Sequence, residues 1–447
     1  LATDKPPEHS STVIFDEAHR LRNAKSKRAR NAKELAAKAQ QVYLLSGSPI
    51  VNAPNDMAPL MEILTRQDMT PGEFDKQFLG TRRTKPSFWQ SLQGIKPGVE
   101  YRLKNQRELE KQLKGKVDYH QPDAPAVERI DEDILVDMGP EQVAANQRFY
   151  QGLPKSVRRK LDSNFPMSKS ENKNLMAFLN GPRQVALSTH PWLSDEDKET
   201  VGLSQTPKLQ RAMEEMESEI EKDPNSRTIV FSNFIEAGLK PYAAALAEKN
   251  IPHGVFHGGL TDKQRADLVN KYNAGELRAL LLGPAASEGI SLSGTKLIQL
   301  LDPHWNEARL EQAVGRGIRY DSHDHLPEEE RKVRVQRYIS QLPKKRRSVL
   351  SMLSAQSRDT ADKHVQNLAG RKQKLNNEFL AKLREIGTPA PQKQASTSPV
   401  MPPADVYIIR GNPDVDTGHA AEYEAFYDAI KKNVEARGLT AEFDPGL

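Results

Sequence analysis

Thr12-Val13-Ile14-Phe15 runs straight into Asp16-Glu17-Ala18-His19. A short β-branched and aromatic run reads as a buried strand of a parallel sheet, with two carboxylates at its C-terminal end. Phosphoryl transfer to water needs one carboxylate to hold Mg²⁺ and another group to orient or deprotonate the attacking water. Adjacent Asp16 and Glu17 supply both. Downstream, the basic, Ala-rich segment Asn23–Gln40 predicts a helix, and Val42-Tyr43-Leu44-Leu45 a second strand stopped by Ser46-Gly47-Ser48-Pro49. Strand, helix and strand at this spacing predict an α/β sheet.

The same rhythm resumes after Pro224-Asn225-Ser226. Strand Thr228–Phe231, helix Ala237–Lys249, strand Gly254–Phe256, helix Asp262–Ala274 and strands Ala279–Leu282 and Lys296–Leu300 predict a second parallel-sheet lobe. Between these regions, Asn55 to Lys116 is mixed and mostly helical, Ile130–Met138 reads as a strand, and 140–222 reads as helices broken at His190-Pro191. Within the last stretch Gln142–Tyr150 reads as scaffold. Val365, Leu368, Leu375, Phe379, Leu383 and Ile386 recur near a 3.6 period among basic residues, which predicts an amphipathic helix over 361–386.

At about 100–200 residues per domain, 447 residues suit two to four domains. The net charge is only +5, but residues 341–400 hold twelve Lys/Arg against four Asp/Glu, and residues 401–447 four against nine. The first excess can attract a polyanion or can simply be a solvated helix face. The cysteine count of zero excludes a disulfide framework, a thiolate zinc site, an iron–sulfur cluster and a cysteine nucleophile. A cytoplasmic location fits. No apolar run approaches the ~18 residues of a membrane span. Leu1 to Pro7 lacks a basic region, an apolar core and a starting Met, which reads as a chain cut upstream.

Gly283 to Tyr320 carries the densest chemistry. Gly283-Pro284-Ala285-Ala286-Ser287-Glu288-Gly289-Ile290-Ser291-Leu292 is a small-residue loop after a strand, where backbone N–H groups can approach phosphates. Gln312-Ala313-Val314-Gly315-Arg316-Gly317-Ile318-Arg319 places two arginines three apart on one helical face, within reach of one triphosphate. A surface salt-bridge pair is the plain alternative. His323-Asp324-His325 has too few ligands for a metal site, and Trp89, Trp192 and Trp305 read as packing residues.

In order along the chain, these segments resemble superfamily-two nucleic-acid motors, specifically the Swi/Snf-like helicase group. Asp16–His19 resembles the Walker B, or DEAH, box, and Ser46–Pro49 with Ile50 and Asn52 resembles motif III. Thr228–Phe231 with Ser232-Asn233 is similar to motif IV, and Phe256-His257-Gly258-Gly259 to the segment after it. Gly283–Leu292 resembles motif V and Gln312–Arg319 motif VI. The link Asp302-Pro303-His304-Trp305-Asn306 is especially similar to the Swi/Snf group, while the region past Tyr320 resembles the nucleoside triphosphatases of large DNA viruses.

The resemblance implies two RecA-like parallel-sheet lobes with ATP and Mg²⁺ between them. Asp16 would help hold Mg²⁺ and Glu17 would activate water. Gln312 and Gly289 would bind ATP, and Arg316 and Arg319 would act as arginine fingers. His19, Ser46, Gly47 and Ser48 would couple the ATP site to nucleic acid. Asn233, His257 and Gly258 would contact DNA, double-stranded in preference to single-stranded; the basic run Lys344-Lys345-Arg346-Arg347 would join them by gripping phosphates, an exposed charged face being the equal alternative.

The implied organisation is the C-terminal part of lobe 1 with a helical insertion over 1–116, and lobe 2 over 117–340 with a helical insertion at 140–222. A basic helical extension at 341–386, a linker at 387–404 and the start of a further α/β module at 405–447 complete it. The chain contains no Gly-x-x-x-x-Gly-Lys-Ser/Thr, and motif VI has Gly317-Ile318 where the family usually has Ala-His. The expectation is therefore a DNA-dependent ATPase, helicase or translocase, cytoplasmic or of viral origin acting in a host cytoplasm, of which this chain alone hydrolyses ATP poorly. The alternative is an ATP-inert nucleic-acid-binding or scaffold protein that keeps the helicase fold.

Overall fold

The computed structural model describes residues 12–47, 49–85, 87–88, 91, 98–119, 127–162, 169–189, 206–284, 290–318, 322–343 and 359–389. The chain divides into two compact units. One gathers Leu1–Thr81, Tyr101–Gln121 and Lys374–Leu447, the other Arg82–Glu100 and Pro122–Gln373.

In the first unit, β1 (Thr12–Phe15) and β2 (Gln41–Leu44) pair in parallel, and α1 (Lys27–Lys38) connects them. Ser26 caps α1 by accepting from the Ala29 amide at 3.1 Å. Ala29, Ala32, Leu35 and Ala36 recur at helical spacing and form its buried face. Helices α2 (Ala58–Thr65), α3 (Pro71–Phe78) and α4 (Gln106–Leu113) add Leu60, Met61, Phe74, Phe78, Leu109 and Leu113 to the same core. The stretch read as mostly helical also contains a two-stranded sheet, β3 (Leu79–Thr84) with β4 (Gly98–Leu103). Its Thr81-Arg82-Arg83-Thr84 has no apolar alternation to betray it.

The second unit is α/β, built on a six-stranded parallel sheet of order β6-β11-β10-β7-β9-β8. Its strands are β6 (Glu128–Asp137), β7 (Arg227–Phe231), β8 (His253–Phe256), β9 (Ala279–Leu282), β10 (Thr295–Leu300) and β11 (Lys332–Gln341). All four residues of β9 are fully buried, as an interior strand covered on both faces requires. Strand β11 departs from the apolar pattern because Arg334 reaches Glu132, Glu215 and Glu219 at 2.9–3.2 Å, compensating a charge in the sheet interior.

Helices α5 (Pro140–Gly152), α6 (Lys155–Asp162), α7 (Lys169–Leu187) and α8 (Pro207–Lys222) fill the stretch read as a helical insertion. Buried Gln142 donates to the Val185 carbonyl at 2.7 Å, a scaffold bond. Helices α9 (Lys240–Glu248), α10 (Asp262–Asn273) and α11 (Glu307–Gly317) complete the α/β repeats. The long helix α12 (Ala361–Ile386) contributes Ala361 and Val365 to a cluster with Tyr150, Leu153 and Leu179. Its other half contributes Phe379 and Leu383 to the core of the first unit. A short β12 (Thr388–Pro389) pairs with β5 (Asp118–Tyr119).

Candidate active site

The Asp16–His19 box sits where β1 leaves the sheet. Leu45 N donates to Phe15 O at 2.9 Å and Ala18 N to Leu45 O at 2.8 Å, so the two strand ends stay paired beyond the regular ladder. Asp16 and Glu17 are exposed. Glu17 adopts the left-handed conformation with φ of 49° and opens the tight turn Ala18–Leu21. A non-glycine residue there costs about 1–2 kcal/mol, strain of the kind that accumulates at functional sites. The Glu17 amide donates to Asp16 Oδ1 at 2.7 Å, which fixes that carboxylate's direction.

His19 is buried, and its Nδ1 lies 3.1 Å from Glu17 Oε2 and 3.1 Å from Ser46 Oγ. An ionised carboxylate only accepts, so the proton belongs on Nδ1, which faces both partners. One ring thereby joins the water-activating candidate on one strand end to a hydroxyl on the other. Gly47 follows Ser46 with open space on its Cα, while Ser48 lies outside the described residues.

Asp56 escaped the sequence reading. It is buried, and its Oδ2 accepts from the Val51, Asn52 and Ala53 amides at 3.0, 2.5 and 3.3 Å. This holds the loop after motif III in shape. An acidic residue in the Asn-Ala-Pro-Asn-Asp run was the available signal.

In the second unit the strand ends of β7 and β10 meet around Asp302, which is fully buried. Its Oδ1 accepts from Ser232 Oγ at 2.7 Å and the Asn233 amide at 3.0 Å. Its Oδ2 accepts from Asn233 Nδ2 at 2.8 Å and Arg183 Nη2 at 3.2 Å. Arg183 also donates to Pro303 O at 2.9 Å, and its guanidinium lies over the rings of Phe234 and Trp305 at 4.8 and 4.5 Å. Trp305 packs. Asn233 is committed to Asp302, and the sequence reading missed Arg183 because nothing local marks one arginine within a helix. Beside them, burial pushes His304 down to about 4, with Arg183 and Arg309 adding to the effect.

Gln312 and Arg316 stand half-buried on α11. Gly317, the departure in motif VI, lies close against the sheet. A Cβ there would meet Ile229 Cδ1 at 2.7 Å and Ile298 Cδ1 at 3.1 Å, both ends of side chains that would have to shift to admit it. Arg309 Nη2 donates to Pro284 O at 3.1 Å and ties α11 to the start of the motif V loop. His257 Nδ1 accepts from the Gly259 amide at 3.1 Å, and Gly258 O accepts from Arg265 at 3.1 Å. His323 is buried, donating from Nε2 to Thr295 O at 2.6 Å, which makes it a structural residue. Gly289, Arg319 and Lys344, Lys345, Arg346 and Arg347 lie outside the described residues.

The donor set fits Mg²⁺ arriving with a nucleotide. Such an ion is held by one or two carboxylates plus phosphate oxygens, and exposed Asp16 is a carboxylate that would suit it. Among the described residues no cluster of three or more His, Asp or Glu could hold a metal by itself.

The first unit thus carries a carboxylate pair at one strand end with a histidine–serine link to the next, and the second unit carries an arginine-bearing helix beside a parallel sheet. Comparison gives the family. Residues 5–119 match the SNF2-related domain and residues 208–321 the helicase conserved C-terminal domain. The chain therefore carries both domains that characterise the Swi/Snf-like helicases.

One relative, described as an ATP-dependent RNA helicase of Acanthamoeba polyphaga mimivirus, is 28% identical over 377 residues, covering 82% of this chain and 75% of its own length. Nucleoside triphosphatase I of Melanoplus sanguinipes entomopoxvirus is 40% identical over 72 residues, 15% of this chain and 11% of its own. The Sulfolobus solfataricus SWI2/SNF2 ATPase core, solved in complex with dsDNA, aligns over 74% of this chain and 64% of its own at 19% identity and a TM-score of 0.36. No described helix is long and apolar enough to cross a membrane.

Proposed function

We propose that the protein is an ATP-driven translocase on duplex DNA, working in the cytoplasm of its cell or host. The observation that carries this reading is His19 Nδ1 at 3.1 Å from both Glu17 and Ser46, a physical link from a hydrolytic carboxylate to the neighbouring strand end. Asp16 would hold Mg²⁺, which would supply charge neutralisation on the phosphates, while Glu17 orients and deprotonates the attacking water. Gln312 and Gly289 bind the nucleotide. Arg316 and Arg319 stabilise the charge that develops on the phosphates, the role by which such arginines tie hydrolysis to motion. His19, Ser46, Gly47 and Ser48 report the occupant of that site to the polymer.

Asn233, His257, Gly258 and Lys344–Arg347 belong to the DNA-contacting set. Asn233 acts there through its backbone and position, since its side chain is held by Asp302. The helical extension and linker at 341–404 and the module from 405 on serve the same motor.

The test compares ATP turnover by the product of the full reading frame alone, with duplex DNA, with single-stranded DNA and with RNA. Duplex DNA is expected to stimulate most. Stronger stimulation by RNA replaces the substrate class, and tight DNA binding without turnover on any polymer identifies the ATP-inert scaffold instead.

A further inference from the structure

Residues 20–38 carry eight cations (Arg20, Arg22, Lys25, Lys27, Arg28, Arg30, Lys33 and Lys38) and one carboxylate, Glu34. All eight are exposed except Arg22, which is half-buried. Lys33 is neutralised by Glu62 at 2.5 Å and Asp68 at 3.2 Å. Lys25, Lys27, Arg28, Arg30 and Lys38 have no salt bridge among the described residues.

The placement works against the helix that carries it. The first turn of α1 has no acidic residue and instead bears Lys27, Arg28 and Arg30. The N-terminal end of a helix is the positive end of its dipole, where each cation is disfavoured. Like charges that repel one another and oppose the dipole bring no stability to the isolated unit. An external polyanion reverses the sign of that electrostatic energy. The face is also suited in length, because twelve helical residues span about 18 Å, comparable to several base-pair steps of a duplex.

We propose that the exposed basic face of residues 20–38 is a phosphate-backbone contact for duplex DNA, connected to the Asp16–Glu17 box by the single turn Ala18–Leu21. The connection is physical. Arg22 Nη1 donates to His19 O at 3.3 Å, and the His19 ring touches Glu17 and Ser46. Phosphates seated on this face therefore act on the segment that positions the hydrolytic carboxylate. The inference rests on the duplex-translocase reading above and adds a contact surface to it.

The test measures affinity for a short labelled DNA duplex as a function of salt, using the full chain. One variant combines Lys25→Gln, Lys27→Gln, Arg28→Gln and Arg30→Gln. A control makes the same charge change elsewhere on the first unit, with Arg107→Gln, Lys111→Gln, Lys114→Gln and Lys116→Gln, all exposed positions. Glutamine keeps helix propensity, and circular dichroism verifies the fold of both variants.

Each lost phosphate contact lowers the slope of log affinity against log salt by about 0.9. The α1 variant is expected to lose about two to four such steps and at least about tenfold in affinity at low salt, the control less than one step. Equal slopes for the α1 variant and the wild type, or equal losses in both variants, overturn the assignment. So does a larger loss on single-stranded than on duplex DNA. A wild-type chain that binds no DNA overturns the translocase reading itself, which is a separate outcome.

Discussion

Two carboxylate sites at the C-terminal ends of parallel strands are treated in opposite ways. In the second unit Asp302 is fully buried, and both its oxygens are filled by Ser232, Asn233 and Arg183. In the first unit Asp16 and Glu17 stand exposed, and Glu17 sits on a strained left-handed backbone. One site spends its acid on holding a junction together. The other leaves its acids exposed, one of them on a strained turn. A carboxylate at a strand end is therefore not in itself a sign of catalysis. The solvent exposure and the remaining acceptor capacity make the distinction.

The sharpest way to break this contrast is to remove both kinds of acid. Asp302→Ala leaves the Arg183 guanidinium buried without its counter-charge and is expected to cost about 3–5 kcal/mol in urea unfolding. Asp16→Asn is expected to stay within about 0.5 kcal/mol of the wild type. Equal costs would erase the distinction.

A second expectation concerns the same junction. His304 titrates near its ordinary 6.5 in the unfolded chain and at about 4 when folded. Between those values the unfolded chain binds more protons, so folding stability is complete above about 6.5 and falls as pH drops toward 4, by up to about 1.4 kcal/mol per pH unit. The difference between wild type and His304→Gln in unfolding free energy, measured across that window, isolates this contribution. A flat difference contradicts the buried neutral imidazole. The effect is smaller than that of Asp302 at the upper end of the window and grows with acidity.

Much of the α/β framework was legible because apolar runs such as Ala279–Leu282 and Thr228–Phe231 can only be buried strands. Strand β11 was not picked out. Its Arg334 and Gln336 look exposed in a linear reading and become acceptable only through Glu132 and Glu215, more than a hundred residues away. The Asp16–His19 box was readable from its strand context, but the left-handed Glu17 and the His19 ring shared by Glu17 and Ser46 were not, since they depend on β1 and β2 lying side by side. Arg183 was invisible for a related reason, since it acts on a strand end that only the tertiary fold brings to it, whereas Asp56 caps its own local loop and left a turn-residue signal that went unread. Gly317 departs from the family pattern, and its close approach to Ile229 and Ile298 is visible only in the fold.

The most direct test of the account is ATP turnover by Glu17→Gln in the product of the full reading frame, with saturating duplex DNA. Glutamine keeps the shape of the side chain and removes its basicity. The account predicts a loss of about 10²–10⁴-fold in turnover, with unfolding free energy and DNA affinity unchanged. Turnover within a few-fold of the wild type would contradict the assignment of Glu17 as the group that activates water.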